Sequence, residues 1–89
     1  MKLGKLQLEL FKYIETSRRI IELEEKKNKI TELIALKEIF IKLETLPELA
    51  KQALAEWEYL YEKELALELE ILKLKKTQAK FMLARFTAV

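Results

Sequence analysis

The sequence of 89 residues contains no cysteine, no histidine and no aspartate, and only one glycine and one proline. Without cysteine the chain cannot form disulfides or thiolate metal sites, and without histidine it lacks the commonest general base and metal ligand. Valine, a typical strand residue, occurs only as Val89. With one glycine, a phosphate-binding glycine loop is excluded. These absences predict a protein that is not an enzyme and has no metal, no cofactor and no small-molecule substrate.

The residues that remain are mostly helix formers, since Leu, Glu, Lys, Ala and Ile dominate the sequence. No segment has 18 consecutive apolar residues, so we expect no membrane-spanning helix. Residues 1–13 contain lysines but no apolar core or small-residue cleavage site, and are therefore not expected to act as a signal peptide. We expect a cytoplasmic protein, or one within a particle assembled in the cytoplasm.

The clearest break in the sequence lies at its midpoint. Thr45 precedes Glu48 by three residues, as in a capping box, and Pro47 between them fits the first turn of a helix. The sequence therefore predicts one domain, residues 1–89. It has a helix over about 3–43, a turn at 44–46 and a helix over about 46–85.

The polar stretch at residues 22–29 leaves one question open about the first helix. Asn28 could cap a new helix, which would give three helices in place of two. The pairs Glu22/Lys26 and Glu25/Lys29 instead have the i,i+4 spacing that supports a continuous helix, and the stretch contains no glycine or proline.

Two short segments alternate apolar and polar residues as strands do, residues 6–10 and 65–71. Their residues are Leu, Ala, Ile, Glu and Gln, and neither segment is followed by turn residues. We therefore expect helix at both places and an all-α fold.

Apolar residues of the second helix recur at three- and four-residue steps, which is typical of a coiled-coil seam. This predicted seam consists of Ala50, Ala53, Trp57, Leu60, Leu67, Ile71, Leu74 and Phe81. A second apolar stripe lies beside it, formed by Leu54, Tyr61, Leu65, Leu69 and Leu72.

Residues 33–43 of the first helix are apolar on most sides, and two helices alone cannot cover faces this wide. The sequence therefore predicts a long antiparallel hairpin that forms a four-helix bundle as a homodimer. The predicted core and interface residues are Leu33, Ile34, Phe40, Ile41, Trp57, Leu60, Leu67, Ile71 and Leu74.

Charge is unevenly distributed along the chain. Residues 1–19 carry five cations and two glutamates, residues 73–89 carry five cations and no anion, and residues 20–72 carry seven cations and thirteen glutamates. An antiparallel hairpin brings the two basic ends together. The candidate contacts to nucleic acid or another anion are Lys12, Arg18, Arg19, Lys73, Lys76, Lys80 and Arg85. The alternative is that these cations are solvated helix ends.

Two further groups of side chains are candidates for a site. Trp57 and Tyr61 are expected to pack in the core, with Tyr59 exposed. The carboxylate pair Glu64/Glu68 is one helical turn apart but has no evident cleft around it.

Three functions are compatible with the sequence. The first is a non-catalytic helical assembly or adaptor protein, such as a small phage or viral component. The second is a small dimeric nucleic-acid-binding protein that uses its basic end, and the third is an inhibitor or regulator that docks a helical face on another protein. An acidic protein surface is an alternative partner for the basic end. The sequence carries no motif diagnostic of a known family.

Overall fold

The protein is a two-helix antiparallel hairpin in the computed structural model, which describes the backbone of residues 2–87 and the side chains of residues 7–83. Helix α1 spans Lys2–Leu43 and helix α2 spans Pro47–Thr87. The all-α prediction is confirmed. Both alternating segments lie within helices, and residues 2–87 contain no strand.

Helix α1 continues through Asn28 without interruption, so the hairpin has two helices and not three. The apolar contacts on either side of Asn28 explain this continuity. Leu23 is buried, Ile30 is partly buried, and Asn28 itself is exposed beside the seam. A new helix start at Asn28 would break this regular spacing.

The turn at residues 44–46 is held by hydrogen bonds to its own backbone. The N–H of Glu44 donates to the carbonyl of Phe40 at 2.9 Å, and the carboxylate of Glu44 accepts from the N–H groups of Thr45 and Leu46, both at 3.0 Å. Leu46 directly precedes Pro47, the first residue of α2. Glu44 therefore caps this turn in place of the predicted Thr45–Glu48 capping box.

The two helices meet along a seam with strict three- and four-residue steps. This heptad pattern is that of a coiled coil, in which two positions in seven face the other helix. The buried or partly buried seam residues of α1 are Glu9, Tyr13, Thr16, Ile20, Leu23, Lys27, Ile30, Ile34, Lys37 and Ile41. Those of α2 are Ala50, Ala53, Trp57, Leu60, Glu64, Leu67, Ile71, Leu74, Gln78 and Phe81.

All eight residues predicted from the sequence for the α2 seam lie in this seam. The seam nevertheless buries few side chains: Ile20, Leu23, Ile34, Ala53 and Ile71 are the buried residues of the described part. The molecule measures 68 × 18 × 14 Å, and its radius of gyration is 19.9 Å. A compact domain of this length has a radius of gyration of about 12 Å. The hairpin is therefore a rod with a thin core.

We predict that Leu23→Ala lowers the free energy of unfolding by about 2–5 kcal/mol, because Leu23 is only 1% exposed and its removal leaves a cavity. The matched control is Leu36→Ala, since Leu36 lies on the same helix and is 63% exposed. Thermal unfolding followed by circular dichroism measures both. Equal melting temperatures for the two variants would contradict the seam described here.

Candidate functional site

Polar side chains occupy several seam positions, and four of them have partners on the other helix: Lys27, Lys37, Glu64 and Gln78. The Thr16 hydroxyl instead donates to the Lys12 carbonyl of its own helix at 2.8 Å. Lys27 Nζ lies 2.7 Å from Glu68 Oε1, and the Thr31 hydroxyl donates to Glu64 Oε2 at 2.6 Å. Near the open end, Gln78 Nε2 donates to Ser17 Oγ at 2.6 Å. Near the turn, Lys37 pairs with Glu56. These cross-helix pairs favour one alignment of the helices, because a shifted register would leave the polar groups without partners.

One side of the hairpin carries an apolar surface along most of its length. Residues seven apart lie on one face of a coiled-coil helix. Residues seven apart therefore form a row along each helix, and Tyr61 and Lys75 belong to one such row of α2. Because Lys75 Nζ lies 3.1 Å from Glu24 Oε1, this row lies on the same side of the hairpin as the α1 row that contains Glu24. We call this side the apolar face. It consists of Leu10, Ile14 and Ile21 on α1 and Leu54, Tyr61, Leu65, Leu72 and Met82 on α2, each 43–56% exposed.

The charged side chains within the middle of the apolar face are paired inside the chain. Glu24 bonds to Lys75, and Glu68 bonds to Lys27. An open groove on α2 is lined by Leu65, Glu68, Leu69, Ile71, Leu72 and Lys75. A partner packed here would meet aliphatic side chains and ion pairs that are already formed.

The opposite side of the hairpin carries a basic surface. Lys12, Arg19 and Lys26 are seven residues apart on α1, as Lys63 and Glu70 are on α2. Because Arg19 lies 3.5 Å from Glu70, these two rows lie on the same side of the hairpin. We call this side the basic face. Its cations are Lys12, Arg19, Lys26 and Lys29 on α1 and Lys63, Lys73 and Lys80 on α2.

The turn end of this second side is apolar. Leu33, Leu36, Phe40, Leu43 and Leu49 lie there, each at least 43% exposed, and we call them the turn patch. Phe40 and Leu49 flank a small groove with Lys37, Gln52, Ala53 and Glu56. The turn patch spans only the last turns of the hairpin next to residues 44–46.

The predicted core and interface residues separate into two groups. Ile34 and Ile71 are buried, and the seam also contains the partly buried residues Ile41, Trp57, Leu60, Leu67 and Leu74. Leu33 and Phe40 are not part of this core, since they are 49% and 44% exposed in the turn patch. Each of them directly precedes a seam residue in the sequence, so it lies beside the seam and not in it.

The predicted basic residues also separate. Lys12, Arg19, Lys73 and Lys80 share the basic face, whereas Arg18 and Lys76 occupy the outer sides of the helices, away from the seam. Arg85 belongs to α2, but its side chain lies outside the described residues. The antiparallel arrangement does gather the basic ends, as shown by the Tyr13–Phe81 ring contact at 5.7 Å.

The aromatic cluster near the turn is partly as expected. Trp57 is partly buried, and its Nε1 donates to Glu38 Oε1 at 3.2 Å. Tyr59 is 60% exposed, as predicted, with Lys63 Nζ 5.2 Å from its ring centroid. Tyr61 was predicted to be in the core but is 44% exposed. It stacks on Trp57 with the ring centroids 5.4 Å apart and contributes its other surface to the apolar face.

The described residues contain no group of three or more acidic side chains that could hold a metal ion. Neither helix is apolar enough over its described length to cross a membrane. Compared with known proteins, the chain matches no family model, no curated sequence and no solved structure.

The polar seam residues Lys27, Lys37 and Glu64 were not identified from the sequence, although a signal for them exists. The apolar seam series skips from Leu60 to Leu67 and from Ile34 to Ile41, and a gap of seven residues contains one further seam position. Glu64 and Lys37 occupy those positions. The spacing alone could therefore have identified them, but they are charged and the predicted seam included only apolar residues.

We predict that Glu64→Leu raises the melting temperature, with a gain of about 1 kcal/mol in the free energy of unfolding. A partly buried carboxylate is replaced there by an apolar side chain of similar size. The matched control is Glu62→Leu, since Glu62 is exposed on the outer side of the same helix. A lower melting temperature for Glu64→Leu than for the unmodified protein would show that the Thr31–Glu64 bond outweighs the desolvation of the carboxylate.

Proposed function

We propose that the protein is a non-catalytic assembly module whose hairpins pair through the apolar face into a four-helix bundle. The observation that supports this most strongly is the excess of exposed surface. The chain exposes 7675 Å². A compact monomer of 10.6 kDa exposes about 5,500 Å².

The excess of roughly 2,000 Å² per chain is of the size that an obligate interface removes from water, since such interfaces bury about 2,000–5,000 Å² over both partners. Twenty large apolar side chains of the described part are also exposed. Monomeric proteins rarely present contiguous apolar surface on this scale. A second copy of the chain is the partner that matches both the length and the apolar character of this surface.

The apolar face suits pairing better than the turn patch does. From Leu54 to Met82 it extends over 28 residues of α2, which corresponds to about 42 Å of helix. Its central charges form the pairs Glu24–Lys75 and Lys27–Glu68 inside each chain. Docking two apolar faces therefore does not bury these central charges without partners. The turn patch, in contrast, covers only one end of the rod.

We predict that the protein in solution has a mass of about twice 10.6 kDa at micromolar concentration. Size-exclusion chromatography with multi-angle light scattering measures it. A stable mass of 10.6 kDa at this concentration would contradict the proposed function.

We further predict that the double variant Leu65→Gln/Leu72→Gln weakens association at least 10-fold, because both residues are exposed in the chain and covered in the proposed bundle. The matched control is Leu33→Gln/Leu36→Gln, which makes the same change at exposed leucines of the turn patch. Sedimentation equilibrium measures both dissociation constants. If only the control variant dissociated, the turn patch and not the apolar face would be the interface.

A further inference from the structure

We infer that the basic face is a binding site for the phosphate backbone of double-stranded nucleic acid. This inference does not depend on self-association, since the basic face lies on the side of the hairpin opposite the apolar face. The observation that carries it is an array of lysines left without ion-pair partners.

The glutamates of the basic face are Glu15, Glu22 and Glu70, so seven cations and three anions give this face a net charge of +4. All three glutamates pair with arginines. Glu15 pairs with Arg18, and both Glu22 and Glu70 pair with Arg19. The six lysines of the face have no ion-pair partner among the described residues. Their charges are therefore available to an external anion.

Three of these lysines surround one groove between the helices. Lys26 and Lys29 of α1 and Lys63 of α2 line it together with Ile30, Ala66, Leu67 and Glu70. The single carboxylate there, that of Glu70, is held by Arg19 at 3.5 Å. Three ammonium groups around a concave surface with one neutralised carboxylate form a positively charged cleft, which attracts polyanions more strongly than isolated surface lysines do.

The array is long enough to follow a duplex. Lys12 to Lys29 on α1 and Lys63 to Lys80 on α2 each span 17 residues, or about 25 Å of helix. A duplex carries one charge per about 1.7 Å, so 25 Å of it presents on the order of 15 phosphates. Lysine acts as a point charge without the planar fork that reads bases. Binding is therefore expected to depend on salt and not on base sequence.

The residues between the lysines favour nucleic acid over an anionic membrane. A helix that binds in a membrane interface needs large apolar side chains next to its basic residues. Between the outermost lysines of each helix, the remaining residues of the basic face are Glu15, Arg19, Glu22, Ala66, Glu70 and Thr77. This stretch therefore has nothing to insert between lipid chains, whereas a phosphate backbone requires only charge at its surface.

The test is fluorescence anisotropy of the full chain with a labelled 30-base-pair DNA duplex and an RNA duplex of the same length, in 50–300 mM KCl. We expect binding to both at 50 mM KCl. The variant Lys26→Gln/Lys63→Gln should reduce the slope of log affinity against log salt by about 1.8 and weaken binding at 50 mM on the order of 100-fold. The matched control, Lys51→Gln/Lys76→Gln, removes the same charge from exposed positions outside the basic face that take part in none of the ion pairs above, and should leave the slope unchanged.

Three outcomes would overturn the proposal. The first is no binding to either duplex at 50 mM KCl, and the second is an equal loss of slope in both double variants, which would indicate overall charge and not the basic face. The third is binding to vesicles containing 30% phosphatidylserine without binding to either duplex, which would indicate a membrane surface. Far-UV circular dichroism and the solution mass should be the same for both variants, because all four substituted residues are exposed.

Discussion

Two helices can cover only a narrow stripe of each other, and this geometric limit determines the rest of the structure. In a two-stranded coiled coil, two positions in seven face the partner. The hairpin obeys this limit closely, since its buried and partly buried seam side chains follow three- and four-residue steps from Glu9 to Ile41 in α1 and from Ala50 to Phe81 in α2. Apolar residues at other heptad positions, such as Tyr61 and Leu65, remain exposed however well the seam packs.

The seven-residue repeat also places different residue types on the apolar face and the basic face of the hairpin. Positions on one side of the seam carry leucine, isoleucine and tyrosine, and positions on the other side carry lysine over about 25 Å. Ion pairs that cross the seam strengthen this division, because Lys75 is paired with Glu24 on the apolar side while Arg19 takes up Glu70 on the basic side. Exposed ion pairs contribute little to stability. Their main consequence here is to decide which charges remain available on each face.

Much of the fold could be predicted from the sequence because helix formers and a single break decide it. Pro47 marks the turn, and the spacing from Ala50 to Phe81 identifies the α2 seam. The continuity of α1 through Asn28 could not be decided in the same way, since it depends on how Leu23 and Ile30 pack against α2. The residue that caps the turn, Glu44, was also missed, because its role follows from the local path of the backbone.

The candidate surfaces were predicted less completely than the fold. Net charge by segment located the basic ends but could not show that Lys76 and Lys80 face different directions. The contribution of Lys26, Lys29 and Lys63 was also hidden, because these residues belong to a segment that is acidic overall and only the pairing of the helices brings them together. Residue spacing within one helix is readable from the sequence, whereas alignment between helices depends on tertiary contacts such as Arg19–Glu70.

We propose that one hairpin is only part of the folded unit, because its seam is too thin to account for the apolar surface around it. The concentration dependence of thermal unfolding tests this most directly, since association that is lost on unfolding makes the melting temperature depend on protein concentration. Circular dichroism should show the melting temperature rising steadily as the concentration increases from 1 to 100 μM. A melting temperature that stays constant over this range, together with a mass of 10.6 kDa, would contradict the account.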